Sequence, residues 1–96
     1  DMFREMDFLW KVTMGIKKKR IDPKNILKMA TVNGGKILKK DIGIIQNKKI
    51  ADCIFLDKHA LDLEPMHNPH ASIVHRASES SIKAVMIGGE IVHGKI

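Results

Sequence analysis

The chain has no tyrosine, one tryptophan and three phenylalanines in 96 residues. Proteins that hold single-stranded nucleic acid stack its bases on aromatic rings beside a basic track. A net charge of +6 therefore does not by itself make a nucleic-acid surface. Cysteine is nearly absent as well. Cys53 alone excludes an internal disulfide and a zinc site built on spaced cysteines, which points to a reducing, cytoplasmic setting. No apolar run approaches the ~20 residues of a membrane-spanning helix, and Asp1-Met2-Phe3-Arg4 lacks the basic-then-apolar layout of a signal peptide. An initiator methionine is missing too, with Asp1 already inside a periodic pattern, so the chain is expected to be a piece of something longer. A domain of this length buries only about two-thirds of its unfolded surface, which keeps the core modest.

What is present divides into helices first and strands second, an α+β layout. Phe3, Met6, Trp10 and Met14 recur at helical spacing over Asp1 to Met14 and form a heavy apolar stripe. That stripe is expected either to pack in a core or to dock a partner. The basic run Lys17-Lys18-Lys19-Arg20 follows Gly15 and reads as a solvated loop. Asp22 and Pro23 start a second helix, the first as cap and the second at a position whose N–H needs no partner, and Ile26, Leu27 and Ala30 are its buried face. Asn33 is expected to cap a further short helix through Lys39. Beyond Lys40 the pattern predicts a strand at Ile42, Ile44 and Ile45, a corner at Asn47, and a second strand from Ile50 to Leu56. A short helix is predicted from Pro69 to Arg76, and a hairpin joins Ile82–Ile87 to Glu90–Val92 around Gly88-Gly89.

Candidate chemistry is thin. His67, His70 and His75 invite a metal, yet residues five apart on a helix point about 140° from each other, so His70 and His75 do not share a face. Zinc needs three or four convergent ligands. His59 and His93 are isolated. Ser72, Ser78, Ser80 and Ser81 lie outside any nucleophile elbow, and Asp52, Asp57, Asp62 and Glu64 have no spacing that pairs them. Gly34-Gly35 lacks the preceding strand of a phosphate loop. Cys53 reads as a strand filler, and Asp52 as a side chain fixing a turn or a backbone amide at the strand start.

Four segments resemble, in order and nearly end to end, the C-terminal part of metal-dependent amidohydrolases: DMFREM, ILKMATVNGGKIL, IGIIQNKKIADCIFLD and LEPMHNPHASIVHRASESSIKAVMIGGEIV. The likeness is to the branch of methylthioadenosine/S-adenosylhomocysteine deaminases and triazine chlorohydrolases. Gly43, Ile45, Ala51, Asp52 and Asp57 match that family's G-x-I/L-x-x-G-x-x-A-D-x-x-x-x-D pattern, although its corner glycine is replaced, leaving Asn47 or Lys48 to turn the chain. His67, Asn68 and Pro69 match its HNP, while His70 and His75 stand where apolar or aromatic residues are more usual.

The resemblance implies a parent enzyme with a (β/α)8 barrel, whose active site lies at the C-terminal ends of the strands, and a small β-sandwich built from both chain ends. It also implies a divalent metal, zinc or iron, activating water against a small heterocyclic substrate to expel ammonia or chloride. The family's metal ligands lie upstream of the DMFREM helix, so no catalytic, cofactor-binding or metal-binding role transfers to any residue of this chain. On this view residues 1–39 are the last barrel helices and 40–57 sandwich strands. Residues 58–80 are a loop and short helix returning toward the barrel, and 81–96 the sandwich hairpin. The partner is then the missing N-terminal barrel portion, and the segment alone is expected to be inactive and to self-associate, with no membrane contact. Two other readings stand beside it: an interaction module docking through Phe3, Met6, Trp10 and Met14, and a basic nucleic-acid binder.

Overall fold

Three of the four helices begin on a short side chain that accepts a backbone N–H left free by the first turn. In the computed structural model, which describes residues 1–96, Asp1 Oδ1 accepts from the Phe3 N–H at 2.9 Å and starts α1, Met2–Gly15. Asp22 Oδ1 accepts from Lys24 at 2.9 Å ahead of α2, Pro23–Ala30. Asn68 Oδ1 accepts from Ala71 at 3.2 Å ahead of α4, Pro69–Arg76. Each such cap stabilises a helix by about 1 kcal/mol. The third helix, α3 at Val32–Leu38, differs. Its N-cap is Thr31, whose hydroxyl donates back to the Leu27 carbonyl at 2.8 Å and so prolongs α2. Asn33, expected as a cap, lies inside the first turn of α3 instead. No helix is long and apolar enough to cross a membrane.

The apolar stripe of α1 finds its cover within this chain. Met6, Ile26 and Val74 form the buried centre, at 5%, 1% and 1% exposure, with Phe3, Trp10, Leu27 and Ile73 packed around them. Helices α1, α2 and α4 thus make a three-helix core. This bears out core packing for Phe3, Met6 and Trp10, the first of the two expectations for the stripe, and leaves Met14 half-buried beyond them. Only eight of the 96 residues are buried, so each core side chain carries a large share of a stability of order 5 kcal/mol.

The strands form an antiparallel meander in the order β1-β2-β3: Cys53–Leu56, Ile82–Ile87 and Glu90–Gly94. Cys53 faces Met86 and Ile54 faces Val85 across the first pair. Gly88 and Gly89, at φ 58° and 85°, join β2 to β3. Two successive positive φ values match the twist of a two-residue hairpin, and glycine adopts them without steric cost. The register shifts between Val85 and Met86, where Val92 is the extra residue of a bulge in β3.

Two strand expectations fail. Residues 42–45 lie in no strand and the second strand begins only at Cys53, not Ile50. A strand needs a neighbour for its amides, and here the segment's ends close on each other instead, the Ile50 N–H donating to Asp41 O at 2.7 Å. Ile45 is 90% exposed. The corner falls at Asn47 and Lys48 as expected, and of the two it is Lys48, where the family pattern has glycine, that takes the left-handed conformation at φ 69°.

Helices pack on helices and strands on strands, and no helix lies broadly across the sheet. Replacing Met6 by Ala is expected to cost about 2–5 kcal/mol through the cavity it leaves. Ile45→Ser should stay within about 0.5 kcal/mol, as for surface changes generally. Urea midpoints at fixed protein concentration, followed by Trp10 fluorescence, check both.

Candidate functional site

Each acidic candidate, Asp52, Asp57, Asp62 and Glu64, has a partner within the fold. Asp52 Oδ1 accepts the Gly88 N–H at 2.7 Å, so its carboxylate ties the start of β1 to the β2–β3 turn. This is the backbone-amide role expected of it, with the amide 36 residues away. Asp57 Oδ1 accepts the N–H of His59 at 2.9 Å. Cys53 is half-buried, its Sγ 4.0 Å from Met86 Sδ across the ladder, with no base beside it to draw off the thiol proton. Gly35 is buried against the Ile42 carbonyl, where a Cβ would sit 2.1 Å from that oxygen; its lack of a side chain serves close packing rather than a phosphate.

Folding brings together one group that spacing did not predict. Ser78, Ser80 and Ser81 all point hydroxyls at Oδ2 of Asp62, the last two at 2.7 and 3.5 Å. The hydroxyl of Ser78, then those of Ser80 and Ser81, hold the Asp62 carboxyl below its usual range against the opposing effect of desolvation. A carboxylate stabilised in this way is a poor proton acceptor, and no imidazole stands between it and a serine. The cluster gathers three hydroxyls on one carboxylate. It secures the 3₁₀ turn at Glu79–Ser81 to the preceding loop.

Arg76, which drew no attention as a sequence feature, is the most connected polar side chain. Its Nη2 donates to the carbonyls of Leu63 and Pro65, both at 2.8 Å, and to Ser72 Oγ at 3.2 Å, while Nη1 reaches Glu64 O at 3.3 Å. An arginine in the last turn of a helix reads only as a complement to the helix dipole. Nothing in its spacing announces carbonyls eleven to thirteen residues upstream.

The histidines disperse. His75 Nδ1 meets Asp7 Oδ1 at 3.0 Å, and its ring stands edge-on to Trp10 with centroids 4.6 Å apart. Lys11 holds the other oxygen of Asp7 at 2.8 Å. The Asp7–Lys11 half, four residues apart on one helix, is readable from sequence; the His75 half, 68 residues distant, is not. His59 pairs with Glu64 at 2.7 Å on the surface, where such pairs stabilise little. No three His, Cys, Asp or Glu side chains converge where a metal ion could be held.

The hydrogen bond from Lys11, followed by that from His75, lowers the Asp7 pKa below 3.8, against partial burial. A carboxylate depressed in the folded state stabilises it above the unfolded pKa and loses that contribution as pH falls through the folded value. The stability gap between wild type and Asp7→Asn should therefore be present from pH 7 to pH 5 and narrow as pH falls below about 4. Urea unfolding at pH 7, 5 and 3 measures it, and an unchanged gap at pH 3 would contradict the assignment.

Residues 1–92 match the family model described as "Amidohydrolase family". The 5'-deoxyadenosine deaminase of Methanopyrus kandleri is 39% identical over 83% of this chain and 20% of its own length. The 5-methylthioadenosine/S-adenosylhomocysteine deaminase of Pyrococcus horikoshii is 33% identical over 96% of this chain and 22% of its own. A crystal structure of an adenosine deaminase from Xanthomonas campestris with bound zinc superposes with a TM-score of 0.88 at 26% identity, over 95% of this chain and 22% of that one. A triazine hydrolase variant shares the fold at 17% identity with a TM-score of 0.75. The chain thus spans about a fifth of the length of the relatives it matches. With one unbroken match from Asp1 to Val92, it belongs to the amidohydrolase family.

Proposed function

We propose that this chain is the C-terminal part of a metal-dependent hydrolytic deaminase acting on an adenosine-like nucleoside, and that its own role is structural. The observation that carries the reading is the continuous match over residues 1–92, to deaminases of which it represents about a fifth. Hydrolytic deamination replaces an amino group on a ring carbon with oxygen from water and releases ammonia. A C–N bond is preferred to a C–Cl bond because the deaminases are the relatives at 33–39% identity, whereas the triazine hydrolase variant, at 17%, speaks for the fold alone.

In this reading residues 1–39 are the last helices of a (β/α)8 barrel, and residues 40–57 and 81–96 contribute to a small β-sandwich. Residues 58–80 return toward the barrel. The unpaired segment 42–45 and the open outer edges of β1 and β3 are consistent with strands supplied by another part of the polypeptide. The metal, zinc or iron, and the contacts to the heterocycle belong to the preceding portion. A cytoplasmic location accords with the single, unpaired cysteine. The interaction-module reading loses its proposed face to the helical core, and the nucleic-acid reading has no aromatic platform to support it.

Incubating the 96-residue chain with zinc and either 5'-deoxyadenosine or methylthioadenosine is expected to release no ammonia; metal-dependent release would sink the structural role. The open sheet edges should also make the isolated chain sediment as an oligomer. A monodisperse monomer with one sharp unfolding transition would count against the segment reading.

A further inference from the structure

Helix α1 has a second apolar face beside the one that α2 and α4 cover. Met2, Phe8, Leu9 and Val12 stand along a groove of about 300 Å³ whose other wall is Met29 and Ala30 of α2. Eight of the nine lining residues are hydrophobic, and Glu5 is the exception. Phe8 is 66% and Met29 51% exposed, so both walls meet water. None of the chain's 17 lysines and arginines enters the lining, although Lys11, Lys24 and Lys28 are exposed on the same two helices. A helix that is apolar on more than one side is covered on more than one side, and a continuous exposed apolar strip marks a contact surface.

The length of the relatives says what covers it. This chain accounts for 20–22% of the deaminases it matches, which leaves about four-fifths of such a polypeptide to lie against it. Resting on the reading above, we propose that the α1–α2 groove is the seam of the enzyme, seating an apolar helix or strand from that remaining four-fifths. The seam is therefore the face bearing Phe8 and Met29, not the Phe3–Trp10 stripe already packed against the helical core. A second copy is the poorer occupant. A twofold-related chain on the same face would bring two like-charged Glu5 carboxylates into one cleft whose lining holds no cation, whereas an occupant from the remaining polypeptide meets only one.

The test compares two contexts, the 96-residue chain and the longer polypeptide read in frame through it, each with Phe8→Ser or Met29→Ser. In the longer protein each variant should lower the folded-to-unfolded ratio by about tenfold or more, the scale expected for losing a buried large apolar side chain. In the 96-residue chain neither should shift the urea midpoint measurably, because the side chains already face water. If the longer protein deaminates its nucleoside yet tolerates both variants without loss of stability, the seam is wrong and the functional reading survives. If the longer protein does not deaminate but both variants destabilise it, the seam stands and the functional reading fails. A longer protein that dimerises, with dimerisation abolished by Phe8→Ser, would replace the seam with an interface between copies.

Discussion

The guanidinium of Arg76 gathers the carbonyls of Leu63, Glu64 and Pro65 at the end of α4, and the connection between the two halves of the molecule runs through that point. On its helical side α4 contributes Val74 and Ile73 to the core shared with α1 and α2. On its far side the chain enters the serine cluster on Asp62 and then β2. Because no helix lies broadly over the sheet, apolar contact alone does not set how the halves are joined. Directional hydrogen bonds to backbone carbonyls do, and a planar, permanently charged fork suits several convergent acceptors in a way that an ammonium does not.

Several of the chain's eleven acids are engaged in holding its own fold together. Asp52 holds a turn, Asp57 an adjacent amide, Asp62 three hydroxyls, and Asp7 a lysine and an imidazole. A catalytic group needs a proton or lone pair directed at a substrate in a cleft that excludes water. The cleft between α1 and α2 is apolar with a single carboxylate. Its chemistry suits packing against another part of a protein.

The helices were legible because their determinants are local. Asp22-Pro23 and Asn68-Pro69 each combine a side-chain acceptor with a residue preset for the first turn, and both helices start where those pairs stand. The Gly88-Gly89 hairpin was legible for the same reason. The strand expected at residues 42–45 failed because β-structure is a property of pairs, and alternating isoleucines carry no information about whether a neighbour is present. Asn33 misled because capping by Asn competes with what the preceding residue does, and Thr31 bonded backward to Leu27. Within the expected corner, the left-handed position fell on Lys48 because turn geometry assigns it by count along the chain, and intrinsic preference for Asn yields to that.

The class of structure, the starts of α2 and α4, the hairpin and the family could be read from the chain alone, since each rests on patterns within a few residues or on segments kept in order. The sequence also determined that no histidine pair on α4 could share a ligand, which follows from helical geometry alone. The fold revealed that Met2, Phe8, Leu9 and Val12 form a second apolar face of α1, left open beside the buried one. The two apolar faces of that helix are equivalent in periodicity, and α2 and α4 can cover only one. It likewise decided that Arg76, Asp62 and His75 are structural, because their partners lie from 11 to 68 residues away and a hydrogen bond at that separation exists only once the chain has folded.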